Sequence, residues 1–406
     1  MPIFPSKNCT VTDAVYGGKA DGVTDNTDAF KKAIADCSQA SGGHVVVPPG
    51  TYVTGAIELL DNVDLHFQMG ATLKFSGDVT KYPLVLTRYE GIELMNHSPM
   101  IYAYNRTNIG ITGPGVLDAS GTASWNTGAN RVPLEAYANS NTPVMQRAAN
   151  GCCRSTFVEP YACTNVLITG ITLQGAQFWQ FHPTLSKNVT VDGVTVTNSG
   201  KSNNDGFDPE SSDHVLLTNT TIQSNDDAMA IKSGRDADGR RINMPTSNFI
   251  FMHSSFASTV GLMTLGSELT GGIHDVYGYD LKTIGPGVHY VFQIKGNTLR
   301  GGTATDVHLD TISATNGVSG GVINSDMHYK GQTGPYHPMY DKFSISNAKI
   351  SGAPFVLNLA GVSAADPLGS VVMENSTYTN IGNPTNSAQY VTVTWTNVTI
   401  NGAPAH

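Results

Sequence analysis

Three aspartates are the residues through which this sequence could do chemistry. Asp205 stands in NNDGFDPESS, and Asp226 and Asp227 stand side by side in NDDAMAIKSGR, so two similar Asn-Asp steps lie 21 residues apart. One such step alone reads as a solvated turn, because Asn and Asp are good turn formers. Two steps at one spacing read differently. Carboxylates brought close together destabilise one another and push one pKa up, so a fold has reason to avoid the cluster unless it is used. Crowded carboxylates suit hydrolysis of a glycosidic bond, in which one acid protonates the leaving oxygen while others activate water. Three carboxylates can also hold calcium. No alternating Asp-x-Asp-x-Asp loop is present, however, and Lys232 and Arg235 stand close enough in sequence to compete for the same oxygens. Neither a metal nor a cofactor is expected.

The basic residues are concentrated near the same place. Lys232, Arg235, Arg240 and Arg241 put four of the 23 Lys and Arg residues within ten positions, and Lys295 and Arg300 follow downstream. The formal net charge is −9, which argues against nucleic acid as a partner. A local basic group in an acidic chain points instead to a negatively charged ligand, with Lys232 among the residues that bind it.

These residues must be positioned by a mostly β framework. Charged residues make up 14% of the 406 positions and hydrophobic ones 40%, with 43 glycines. That profile is neither disordered nor helical. Strand-like units recur and begin at Asn108, Asn165, Asn188, His214, Asn248, Asp275 and Asp306. The last six starts are separated by 23, 26, 34, 27 and 31 residues. Alternating apolar residues within each unit, repeated in kind, predict a parallel solenoid whose coils stack on one another. One helical pattern, DNTDAFKKAIADC at 25–37, predicts a helix that caps the open N-terminal end. The fold class expected is all-β: one right-handed parallel β-helix domain over 1–406, with the cap at about 9–40 and coils at about 44–400. Equivalent positions in adjacent coils lie roughly 4.8 Å apart. Asp205 therefore falls beside Asp226 and Asp227, at a strand end or bend that shows both of the latter to solvent.

Of the five cysteines, Cys9 and Cys37 can pair, while Cys152, Cys153 and Cys163 cluster later. An odd count leaves at least one thiol unpaired or intermolecular. No apolar run is long enough to span a membrane, and the opening MPIFPSKNCT lacks a signal-peptide pattern.

At the aspartates the sequence resembles glycoside hydrolase family 28, the polygalacturonase family. NNDGFDPESS resembles its Asn-Thr-Asp-Gly motif with Asn204 in place of Thr, and NDDAMAIKSGRDADGRRI resembles its Asp-Asp motif in the longer bacterial, exo-acting form. LGSELTGG at 265–272, QIKGN at 293–297, FWQFHP at 178–183 and the N-terminal GGKADGVTDNTDAFKKAIADC also fit. The likeness runs from about Cys9 to about residue 380 and implies a right-handed parallel β-helix.

Carried over residue by residue, the resemblance makes Asp226 the general acid and has Asp205 and Asp227 activate water, with inversion at the anomeric carbon. It implies that Lys295 holds a substrate carboxylate, that Tyr329 lines the cleft and that His182 touches sugar near the scissile bond. Taken alone, a histidine beside Trp179 is more often a packed core residue. Asp208 would support the neighbouring loop. Two positions depart from the family. Val260 or Gly261 stands where a histidine belongs, and Gln293 replaces the arginine of Arg-Ile-Lys in a substrate-binding position. The expected activity is hydrolysis of α-linked galacturonic-acid-containing pectic poly- or oligosaccharide, exo-acting, by a secreted or periplasmic monomer. A rhamnogalacturonan-type hydrolase of the same family and a sugar-binding β-helix without activity are the alternatives. A polysaccharide lyase would need calcium carboxylates with an Arg or Lys base opposite them.

Overall fold

Short parallel strands stack in the order that the repeat predicts. The computed structural model describes residues 1–128, 134, 136, 137, 139–149, 151, 153–315 and 317–405. Its contacts divide the chain into two units, residues 1–204 with 215–220 and residues 205–214 with 221–406.

In the first unit, strands Asn8–Thr10, Gly43–Val47, Val63–Phe67, Thr107–Thr112, Thr164–Thr169 and Lys187–Asp192 pair in parallel, one per coil. The register sets Cys9, Val45, Leu65, Ile111, Ile168 and Val191 in one row, all buried. A second row joins Tyr52, Leu73, Leu117, Leu173 and Val196. Each fully buried aliphatic side chain contributes about 1.5–3 kcal/mol. The core is thus built of like side chains placed above like.

The helix runs Thr27–Gln39, two residues later than the pattern predicts. Asp25 explains the shift, because its Oδ1 accepts from the backbone N–H and the hydroxyl of Thr27 and so caps the helix from outside. Ala29, Phe30, Ala33, Ile34 and Cys37 form the buried face, against strands Asn8–Thr10 and Gly43–Val47. A Cys9–Cys37 disulfide ties helix to strand. Cys163 is an unbridged, buried thiol, and Cys152 lies outside the described residues. Among the described residues no helix is long and apolar enough to cross a membrane.

The second unit repeats the plan. Strands Met229–Ile231, Gly261–Leu265, Val288–Lys295, Val318–Asp326 and Leu357–Ala360 pair in parallel and align Met263, Phe292, Ile323 and Leu357. A second stack begins with Thr246–Ser258, Ile273–Thr283 and Thr303–Ala314. In that stack Gly278 sits between Phe251 and Leu309; a Cβ there would come within 2.5 Å of the Phe251 ring. Only glycine leaves room for the phenyl group.

The residues that open the repeats share one backbone state. Asn108, Asn165, Asn188, His214, Asn248, Asp275 and Asp306 all have φ between 51° and 60°. Asn and Asp enter this left-handed region more readily than other residues with a side chain. His253, Asp280 and Thr311 take the same conformation inside the long strands of the second unit and bend them. In the first unit the openers also bond to one another. Asn108 donates to Asn62, Asn165 to Asn108 and Asn188 to Asn165, at 2.9, 2.9 and 3.0 Å. The amide ladder runs coil to coil.

Asn165→Ala removes a donor and an acceptor from this ladder and forces alanine into the left-handed region. It should lower unfolding stability by about 1–3 kcal/mol. Asn165→Gly should lose less, since glycine keeps the conformation and forgoes only the bonds. Guanidinium unfolding midpoints measure both, and an alanine variant as stable as the parent would show that the ladder is ornamental.

Candidate active site

The three aspartates meet in the second unit. Isolated parallel bridges pair Phe207 with Met229 and Glu210 with Lys232, and the Gly206 N–H donates to the Asp227 carbonyl at 3.1 Å. This register places Asp205 one coil from Asp226 and Asp227. Carboxylate oxygens of all three lie within 4.8 Å of one another. Asp226 and Asp227 precede the strand Met229–Ile231 in a bend, as expected, but the bend does not show both to solvent. Asp226 is half-buried, whereas Asp227 is buried. The Asp227 N–H donates to Asp226 Oδ1 at 2.9 Å, which folds the Asp226 side chain back onto the backbone of its neighbour.

Asp227 is the most firmly held of the three. Its Oδ1 accepts from the Gly261 N–H at 2.9 Å and the Thr264 hydroxyl at 2.5 Å, and its Oδ2 accepts from Lys295 Nζ at 2.9 Å. Any side chain at 261 would obstruct this, since a Cβ there would stand 2.8 Å from Asp227 Oδ1 and 2.4 Å from Thr264 Oγ1. At this point it is a backbone N–H that reaches the carboxylate.

Asp205 and Asp226 are both pushed toward holding a proton. Burial, then Asp208 and Asp226, raise the Asp205 carboxyl well above the usual range, against the pull of Lys232. Burial and the neighbouring Asp227 raise Asp226, opposed by Lys295. Three carboxylates could hold a cation by distance alone, but Lys295 and Lys232 already supply positive charge to them.

Lys232 is not placed as expected. It is 3% exposed, and its Nζ lies 3.3 Å from Glu268, 3.6 Å from Asp208 and 3.9 Å from Asp205. Burial alone would lower its pKa; Glu268, Asp208 and Asp205 reverse this and raise it well above its usual value. An ammonium so enclosed does not meet a ligand from outside. Arg235 and Arg300 are likewise buried, whereas Arg240 is half-buried and Arg241 exposed. Arg235 pairs with Asp236, Arg300 donates to Asp236 at 2.6 Å, and Arg241 pairs with Asp238 at 2.8 Å. Arg240 donates to the Leu299 carbonyl and lies 3.6 Å over the Tyr336 ring. Lys232, Arg235, Arg241 and Arg300 are thus each paired with a buried acid of the chain.

Lys295 keeps part of its surface and faces Tyr329, with Nζ 6.0 Å from the ring centre. Bonds from the Tyr329 N–H to the Gly296 carbonyl and from Asn297 to the Tyr329 carbonyl hold that loop beside the strand end. Gln293 stands two residues before Lys295, in register with Thr264 and Asn324, and its buried Oε1 meets no donor among the described residues. His182 belongs to the first unit. It is fully buried, edge-on to Trp179 at 4.9 Å and with Nδ1 3.9 Å from Glu159. That placement matches a packed core histidine and offers no surface to a sugar. The sequence reading passed over Thr264, which carries no motif, and Glu268, which lies inside the quoted LGSELTGG.

Comparison with known proteins identifies the family. Residues 37–353 match the sequence profile of Glycosyl hydrolases family 28. The chain is 28% identical over 308 residues to a probable polygalacturonase of Vitis vinifera, covering 72% of this chain and 58% of that protein. It is 25% identical over 294 residues to an exo-poly-alpha-D-galacturonosidase of Dickeya chrysanthemi, covering 64% and 48%. The chain thus spans about half the length of these curated relatives. Among solved structures, a hyperthermoactive exopolygalacturonase from Thermotoga maritima superposes with a TM-score of 0.92 at 32% identity, over 100% of this chain and 94% of that one. The fold is the right-handed parallel β-helix of these proteins. The chain belongs to glycosyl hydrolase family 28.

Proposed function

We propose that the chain hydrolyses α-linked galacturonic-acid-containing pectic poly- or oligosaccharide from its end. The observation that carries this reading is the set of three carboxylates on one side of the second unit, with Lys295 bonded to one of them. Asp226, half-buried and raised, protonates the glycosidic oxygen. Asp205 and Asp227 take the proton of the attacking water, and Lys295 with Tyr329 faces a substrate carboxylate. Family membership supports the reaction, and the exo-acting names of two of the compared proteins support attack at chain ends. A pectic polymer lies outside the cell, so the protein acts there or in the periplasm. The Cys9–Cys37 disulfide fits an oxidising compartment.

Gln293 favours a second reading. Where the family carries an arginine, an uncharged amide with an unmet oxygen suits a neutral, hydroxyl-bearing unit, as in a rhamnogalacturonan-type substrate. Incubation with polygalacturonate, rhamnogalacturonan and defined oligomers, followed by product sizing, separates the two. Release of galacturonate monomer alone supports the first reading, and a ladder of products removes the exo assignment.

Two outcomes test the chemistry. Asp226→Asn should abolish turnover with little loss of binding, because the amide keeps the shape but donates no acidic proton. Asp205→Asn and Asp227→Asn should each cost about 10²–10⁴-fold in kcat. Near-parental turnover in Asp226→Asn would remove the assignment.

The second outcome is stereochemical. Carboxylate oxygens within 4.8 Å are closer than the roughly 6.5–9.5 Å usual for inverting pairs. Here the third carboxylate makes the difference, since Asp205 and Asp227 can flank one water while Asp226 serves the leaving group. Proton NMR during early turnover should show the β-anomer first. An α-anomer would mean retention through a covalent intermediate on one of the aspartates.

A further inference from the structure

For Asp205 to accept a proton from water it must be ionised, yet its surroundings work against that. It is 3% exposed, and its Oδ1 is buried with no hydrogen-bond partner among the described residues. The charged groups around it come from four stretches of chain. Asp208 follows on its own segment, and Asp226 and Asp227 stand at the bend before strand Met229–Ile231. Lys232 follows that strand, with Nζ 3.9 Å from Asp205 Oδ2. Lys295, at the end of strand Val288–Lys295, is committed to Asp227 at 2.9 Å.

Lys232 is itself divided. Its ammonium lies nearest Glu268 Oε2 at 3.3 Å, then the Gly266 carbonyl at 3.4 Å and Asp208 Oδ1 at 3.6 Å. Glu268 is buried, which favours its protonated form, but Lys232, Arg300 and Arg235 outweigh this and hold it ionised. It draws the ammonium away from Asp205.

We propose that Lys232 is a positioning residue that pulls Asp205 toward its proton-accepting form, and that Glu268 limits how much of the ammonium charge Asp205 receives. Lys232 touches no substrate in this role. Its buried charge acts across 3.9 Å with little screening. The kinetic side of the proposal rests on the hydrolytic reading above, whereas the charge relation holds in the substrate-free protein.

The signs follow directly. Without the ammonium, Asp205 keeps its proton to higher pH. The acid limb of the kcat/KM profile, which requires an ionised base, should then move up. Lys232→Met should shift that limb by about one pH unit or more, roughly a tenfold loss at a fixed pH below it. Lys232→Arg, which keeps the charge, should leave the limb near the parent. Glu268→Gln should move it the other way, because the ammonium then serves Asp205 more fully. A purely structural role would lower the plateau in these variants and leave the limb in place.

Carbon-13 NMR titration of the Asp205 carboxyl in the substrate-free protein reads the same shifts without turnover. If the parent cleaves no pectic substrate but the titration shifts as stated, the hydrolytic reading fails and the positioning role stands. If the parent is active and neither limb nor titration moves, the proposal is overturned. Should Lys232→Met not fold, Glu268→Gln carries the test, since a limb that fails to move down in it is equally decisive against the proposal.

Discussion

Parallel strands one coil apart stand about 4.8 Å from each other, and whatever occupies a position must tolerate its counterpart at that distance. Aliphatic side chains tolerate it well, which is why Val45, Leu65, Ile111, Ile168 and Val191 fill one row of the first unit. Primary amides do better still, because each has a donor and an acceptor to offer its neighbours. Asn62, Asn108, Asn165 and Asn188 exploit this at a turn that also needs the left-handed conformation. Carboxylates are the unfavourable case. Asp205 beside Asp226 and Asp227 places like charges where the repeat gives them no room to separate.

The second unit meets that conflict with charge brought in from the same coils. Lys232 stands among Asp205, Asp208 and Glu268, and Lys295 is bonded to Asp227. Arg235 and Arg300 pair with Asp236 close by. Removing one member of such a buried set is more damaging than the net contribution of the set suggests, because it strands the opposite charge. The arrangement also separates the three aspartates chemically. Asp227 accepts from three donors, Asp205 is enclosed, and Asp226 is the one left half-buried. A group that must pass a proton to an incoming oxygen has to be reachable, and Asp226 is the most reachable of the three.

The coil spacing and the meeting of the aspartates were legible in the sequence because both follow from periodicity. The repeat openers, read as Asn, His and Asp at strand starts, all proved to be left-handed residues within or at the start of their strands. Other features were not legible, for physical reasons. Lys232, Arg235, Arg240 and Arg241 look alike as a run of positive charge, and nothing local shows that Glu268 and the Leu299 carbonyl, 36 and 59 residues on, are the partners of Lys232 and Arg240. The helix began late because Asp25, at a strand end, supplied the cap from outside. His182 matched a motif, although Trp179 beside it in sequence also allowed a packed core histidine; only the fold brings Glu159 to it.

Gly261 shows how a backbone donor can serve a carboxylate where a side chain has no room. The Gly261 N–H and the Thr264 hydroxyl reach Asp227 Oδ1 together, at a place where a Cβ would stand 2.8 Å from that oxygen. Neither an amide nor a hydroxyl titrates near neutrality. With those two donors uncharged, the pH response of this site is left to the carboxylates and to the ammonium groups that face them. Gln293 has the same character, an uncharged amide where the pattern has a cation. Both departures leave uncharged residues near the aspartates, so the electrostatic balance turns on the buried Lys232 and the half-buried Lys295.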